Sequence, residues 1–229
     1  LGFGYDRIMS SAGADMIIFG THLSSLDTID GGAGTDELRF TDSGSATSDL
    51  DGVTNVETVT LGDSATSVTT VDGLVGAGQT LTVSAAALTG TNALTWDGSA
   101  ETNGSFDITG SSQADTITGG AGADTIFGGS GADIIAGGLG QDIIIAGDQD
   151  DVIIFEDGNV LAGAFSVDGG EGSDRILLEA NDVSSVVFQN VINVEIIQTG
   201  EGNNKINLGL LSVSANIFTG SGNDEIEFG

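Results

Sequence analysis

Aspartate is the residue that could do chemistry in this chain, because it recurs at a fixed spacing. Five nonapeptides stand in phase between Gly110 and Ile154: GSSQADTIT, GGAGADTIF, GGSGADIIA, GGLGQDIII and AGDQDDVII. Each puts Asp at its sixth place (Asp115, Asp124, Asp133, Asp142 and Asp151) and Ile at its eighth. Carboxylates at such regular intervals repel one another in the bare chain, and tight Gly-rich turns point many backbone carbonyls the same way. A hard cation resolves both problems. Calcium takes about six to eight oxygens, mixing carboxylates with backbone carbonyls, and tolerates irregular geometry. Two Asp neutralise one ion, and the glycines of the turns, Gly119, Gly120, Gly122, Gly128, Gly129, Gly131, Gly137, Gly138 and Gly140, supply carbonyls. The bland alternative is a low-complexity tract with Asp as an ordinary turn residue. Five copies without a phase slip argue against it.

Positioning those carboxylates takes a turn and a strand. Glycine permits the positive φ of a tight turn. The three residues after Asp alternate around one buried Ile, which is a very short strand with one face inward. Turn plus strand takes nine residues, so two repeats make one flattened coil and residues eighteen apart stack. On that register Asp115, Asp133 and Asp151 line one edge, and Asp124 and Asp142 the other. Ile117, Ile126, Ile135, Ile144 and Ile153 form the buried ladder.

The repeat G-G-x-G-x-D-x-U-x resembles that of the RTX (repeats-in-toxin) proteins, whose signature is a calcium-binding parallel β-helix. The resemblance implies ions between turn n and turn n+2. Carried over here, turns 110–115 and 128–133 hold one, 128–133 and 146–151 a second, and 119–124 and 137–142 a third, so at least three calcium ions are expected. It also implies export of an unfolded chain that folds on meeting extracellular calcium. Among RTX classes, the low aromatic content and Thr/Ala/Gly-rich looser coils most resemble surface-layer proteins, adhesins and other extracellular assemblies. A calcium-dependent, self-assembling structural module is thus the first expectation. The calcium-folded carrier domain of a secreted enzyme or toxin is the alternative.

Weaker copies flank the regular block. LGFGYDRIM, SSAGADMII, HLSSLDTID and GGAGTDELR carry Asp6, Asp15, Asp27 and Asp36, while GGEGSDRIL and TGSGNDEIE carry Asp174 and Asp224. TGEGNNKIN has Asn204 in the Asp place. Asp15, Asp36, Asp174 and Asp224 join the candidate metal ligands. A longer duplication overlays these: residues 29–62 align without a gap on 167–200, sharing the glycines and Asp of one repeat and a later N-V-E. Glu57 and Glu195 of that N-V-E read as strand-start turn residues in preference to ligands. ETVTL at 57–61 and, between 62 and 109, SVTTV, TLTVS, ALTW and SFDIT read as strands, being rich in Thr and Val. The expected fold is all-β, one continuous right-handed parallel β-solenoid over 1–229. Degenerate coils and the first long module fill 1–62, looser coils 63–109, the regular roll 110–154, and the second long module with terminal coils 155–229.

Composition narrows the function. With 34 acidic and 4 basic residues the net charge is −30. Nucleic acid and anionic membrane surfaces are poor partners, since both need clustered Lys and Arg, and neither nucleic-acid binding nor membrane insertion is expected. Self-repulsion opposes a compact state unless counterions bind, yet 39% of residues are apolar, too many for a simple acidic disordered tail. The two facts reconcile if calcium drives packing. There is no Cys to form a disulfide, and no stretch long and apolar enough for membrane insertion. The first residues lack a signal peptide and already fit the repeat, so a larger parent protein is expected. No catalytic constellation is present: His22 is the only histidine, and neither H-E-x-x-H nor G-x-S-x-G occurs. Trp96 is expected in the core, and Asp157 could complete a fourth site against Asp142. Places seven and nine turn apolar along the block, reaching Ile143/Ile145 and Val152/Ile154. Either residues 155–168 cover that face or another subunit does.

Overall fold

Ile117 pairs with Ile135 and Ile135 with Ile153, while Ile126 pairs with Ile144, so residues eighteen apart stack through the regular block. These five isoleucines are all buried. The computed structural model describes residues 5–20, 23–40, 50–64, 66–155, 166–179, 184–188, 190–208 and 214–227. Among them every element is a strand and every strand pair is parallel. His22 and Asp157 lie outside the described residues.

The chain forms a parallel β-solenoid with two main faces. A nine-stranded sheet runs from Met16–Phe19 through Thr80–Ser84, Thr125–Ser130 and Ile143–Asp148 to Val191–Ile192. An eight-stranded sheet opposes it, from Thr66–Thr69 through Thr116–Thr118, Ile134–Ala136 and Val152–Phe155 to Asn216–Phe218. Successive strands of the regular block alternate between the two. Two further sheets of three strands include Arg7–Met9 near one end, and Lys205–Asn207 with Glu225–Glu227 near the other. The Thr- and Val-rich runs form strands as expected, at Thr58–Thr60, Thr66–Thr69, Thr80–Ser84, Leu94–Asp97 and Ser105–Thr109. In most of them alternate side chains face inward and outward, the period-two pattern of a strand with one buried face.

The coil changes size, and the core residues change with it. Eighteen residues leave a cross-section that stacked Ile fills. Where the coil widens, Trp96 pairs with Val68 at a separation of 28 residues. Trp96 is buried there, packed edge-on to Phe106 at 5.6 Å between ring centroids. A larger ring supplies the extra volume that a wider section needs for close packing.

One expectation needs correction. Strands on the nine-stranded face are not confined to the three residues after Asp: Thr125–Ser130 and Ile143–Asp148 continue through the next Gly pair, with Gly129 beside Gly147. Not every turn glycine takes positive φ. Nor are all the outward apolar places open, for Ala136 is buried and Val152 and Ile154 are half-buried. The duplication, by contrast, is reproduced closely. Asn55 and Asn193 have φ of 52° and 53°, and each amide Nδ2 donates to the carboxylate of Asp30 or Asp168 at 2.8 Å.

Candidate metal centre

The sixth-place aspartates form hydrogen-bonded columns along the solenoid. On the eight-stranded face the Asp115 N–H donates to Asp133 Oδ1 (2.7 Å), Asp133 N–H to Asp151 Oδ1 (2.7 Å) and Asp151 N–H to Asp174 Oδ1 (2.8 Å). Leu94 N–H begins the column on Asp115 Oδ1. On the other face the Phe106 N–H donates to Asp124 Oδ1 and Asp124 N–H to Asp142 Oδ1, and nearer the N-terminus Asp15 N–H donates to Asp36 Oδ1. The two edges are those the eighteen-residue register predicts. Asp224 stands apart from these columns, taking the Asn204 N–H at 3.0 Å.

Two column members carry no RTX-type turn before them. Asp36 N–H donates to Glu57 Oε2 and Asp174 N–H to Glu195 Oε2, both at 2.8 Å. Glu57 and Glu195, expected as turn residues, therefore take the Asp place in the columns. Their sequence signal is the offset: each lies 21 residues beyond its donor, the spacing of Asp15 and Asp36.

One carboxylate oxygen serves the column, and the fate of the other separates the aspartates. Oδ2 of Asp15, Asp36, Asp133, Asp151 and Asp174, together with that of Asp6, is buried with no hydrogen-bond partner. Asp115 differs, because the Ser111 N–H donates to its Oδ2 and the Ser111 hydroxyl to its Oδ1. Asp124 Oδ2 accepts from the Gly120 N–H at 2.7 Å. Burial, opposed in part by the column hydrogen bonds, pushes the carboxyls of Asp133 and Asp142 up to about 7. For Asp133 the charges of Asp115 and Asp151 add to the rise. Asp124 and Asp151 are pushed up to about 6, again chiefly by burial, and Asp174 moves in the same direction. An acceptor that is buried, ionisable and without a donor is costly unless something positive faces it.

The glycines make room for these oxygens. A Cβ on Gly128 would stand 2.5 Å from Asp133 Oδ2, and one on Gly137 at 2.5 Å from Asp142 Oδ2. Gly119 faces Asp124 Oδ2 in the same way. Gly129, Gly131, Gly138 and Gly140 meet the torsional need, with φ between 87° and 128°. Gly120 and Gly122 lie outside the left-handed region. Gly120 accepts the Leu139 N–H on its carbonyl, and Gly122 leaves space for the Gly104 carbonyl and the Ser105 hydroxyl.

Among the described residues no three His, Cys, Asp or Glu side chains converge on one point. A cation held between two such carboxylates would complete its shell with backbone carbonyls or water. Stacked carboxylates with donorless buried oxygens, beside turns built from glycine, fit a hard oxygen-seeking ion such as calcium. They do not fit a soft or imidazole-seeking metal.

In comparison with known proteins, the family model of the RTX calcium-binding nonapeptide repeat matches four copies in this chain, over residues 26–40, 107–135 and 127–160. No curated protein matches the chain. Such repeats bind calcium, and in a β-solenoid they make a structural fold that is not catalytic by itself.

Proposed function

We propose that this chain, an RTX-repeat protein, is a calcium-folded structural module of a secreted, extracellular or cell-surface protein, and that it self-associates. The observation that carries the reading is the run of buried Oδ2 atoms without donors at Asp133, Asp151 and Asp174. It favours ions at turns 128–133 with 146–151, and at turns 146–151 with 169–174. The second pairing extends the expected set beyond the regular block. Asp124 and Asp142, with Gly119, Gly120, Gly122, Gly137, Gly138 and Gly140, would hold a further ion on the other face. Asp115 is a weaker ligand because Ser111 already satisfies it, and Asp15 with Asp36 would serve the N-terminal coils.

Ligands gathered only in the folded coil make binding energy part of folding energy. At free calcium ten times Kd each site contributes roughly 1.4 kcal/mol, so three contribute about 4 kcal/mol, comparable with the stability of many domains. Folding only where calcium is abundant suits a chain exported unfolded, and the charge of −30 with no Cys fits that route. The repeat coils serve assembly rather than catalysis in this reading. The alternative is a carrier domain for an enzyme or toxin borne elsewhere on the same protein. Circular dichroism across a calcium titration tests the folding claim. EGTA should leave a mostly disordered chain and millimolar calcium restore the β signal; an unchanged β signal after exhaustive chelation rejects the reading.

A further inference from the structure

The coil pair 199–204 and 219–224 solves the same electrostatic problem by other means. Asn204, in the Asp place of its repeat, is buried with 1% exposure. Its backbone N–H joins the ladder by donating to Asp224 Oδ1 at 3.0 Å. Its side-chain Nδ2 stands among four oxygens: the carbonyls of Gly200 (3.1 Å), Gly202 (3.3 Å) and Thr219 (3.1 Å), and Asp224 Oδ1 (3.1 Å). Two come from its own turn, and two from the turn one coil further on. An amide nitrogen has two hydrogens, so four acceptors around it exceed what one amide needs. The surroundings also fix the amide's orientation, because an oxygen in that place would face four acceptors.

Carbonyls from two stacked turns plus a carboxylate are the donor set a hard cation seeks. At Asp133, Asp151 and Asp174 the second side-chain oxygen is buried without a donor. We infer that the Asn204 amide takes the place of a calcium ion, so that this coil pair closes by a metal-independent clasp while the Asp coils close on calcium. The inference rests on the calcium reading of the Asp turns and adds to it a position the ion does not occupy. The neighbouring strands are braced without metal as well. Lys205 Nζ lies 3.2 Å from Glu225 and 2.8 Å from Glu227, and the Asn207 amide donates to Glu227 at 3.0 Å.

Two variants of the full chain test this, each followed by calorimetric calcium titration and thermal melting. Asn204→Asp restores the carboxylate and should bind one calcium ion more per chain than the parent, with a melting midpoint that falls at low calcium and recovers at high calcium. Asn204→Ala removes the donor and leaves the ion count unchanged. Its midpoint should drop by roughly 2–8 °C even at saturating calcium, from one to two lost buried hydrogen bonds, and added calcium should not restore it. An unaltered count in a folded Asn204→Asp chain overturns the inference. So does loss of a bound ion in Asn204→Ala, which would mean that the parent holds calcium at this turn, and so does an unchanged midpoint in that variant. A parent chain that binds no calcium at all instead rejects the proposed function, and the alanine midpoint still reports on the clasp.

Discussion

A buried carboxylate holds its position only when something positive or protic faces both oxygens. Asp115 and Asp133 occupy the same place in successive coils of one column, yet they meet that condition differently. Ser111 donates twice to Asp115, while Asp133 Oδ2 has no donor. Asp133→Ala should therefore raise the calcium midpoint of folding more than Asp115→Ala does, and equal shifts would contradict the assignment of ions to turn 128–133. Protonation is the other way to quiet a buried carboxylate, and it sets the pH dependence. The folded-state values of Asp133 and Asp142, about 7, and of Asp124 and Asp151, about 6, lie above the ordinary 3.8. In the metal-free chain the folded coil thus binds extra protons. Their stabilising effect is complete below about pH 4 and is lost as pH rises through 6 and 7. Calcium must displace those protons, so its midpoint should be higher at pH 5.5 than at pH 8. Titrations followed by circular dichroism at the two pH values check this, and coincident curves would remove these four carboxylates from the binding step.

At the scale of the element, the unit is one turn with its strand, and the duplicated modules show how far it can vary. Glu57 and Glu195 enter their columns as the last residue of N-V-E instead of after a glycine turn, and the extra methylene does not prevent the carboxylate from reaching the N–H of Asp36 or Asp174. Replacing either Glu with Ala leaves a buried N–H without its acceptor, at a cost of about 1–3 kcal/mol. Glu→Gln keeps an acceptor and should cost much less. Melting midpoints at saturating calcium measure the difference, and matched losses for Gln and Ala would show that the bond contributes nothing. The stacking register, the two Asp edges and the Ile ladder are legible in the sequence because nine residues per half-coil admit only one phase. The Thr/Val runs from 57 to 109 are legible for the same reason, since their alternation matches a strand with one face inward. Other features need three dimensions. GSSQAD and GGSGAD look like equivalent turns until Ser111 is seen donating to Asp115. N-V-E looks like a strand start until the column passes through it. TGEGNN looks like a defective repeat until the Asn204 amide is found among four oxygens. The Glu and Asn204 bonds join neighbouring coils that only folding brings together, while the Ser111 bond lies within one turn and depends on that turn's shape.

For the molecule as a whole, net charge and surface pattern oppose each other. A charge of −30 keeps copies apart, and bound calcium would reduce it. Phe127, Ile143 and Ile145 lie outward on two adjacent strands of the nine-stranded face, with Phe127 paired to Ile145. Their exposures are 38%, 46% and 36%, and Ile134 on the opposite face is 43% exposed. Outward Ile in that grouping is poorly suited to a solvated face and well suited to a contact. Association should accordingly appear with calcium, because calcium both creates the face and lowers the repulsion across it. Analytical ultracentrifugation in millimolar calcium should find concentration-dependent oligomers, and in EGTA none. Replacing Ile143 and Ile145 together with Thr leaves the strand intact, since Thr is as β-branched as Ile, and should abolish association while the calcium-induced dichroism stays unchanged. Oligomers that persist in that double variant would move the contact to another surface. A parent chain that stays monomeric over a wide concentration range would reject assembly and favour the carrier reading, in which calcium folds the coils and nothing docks on them.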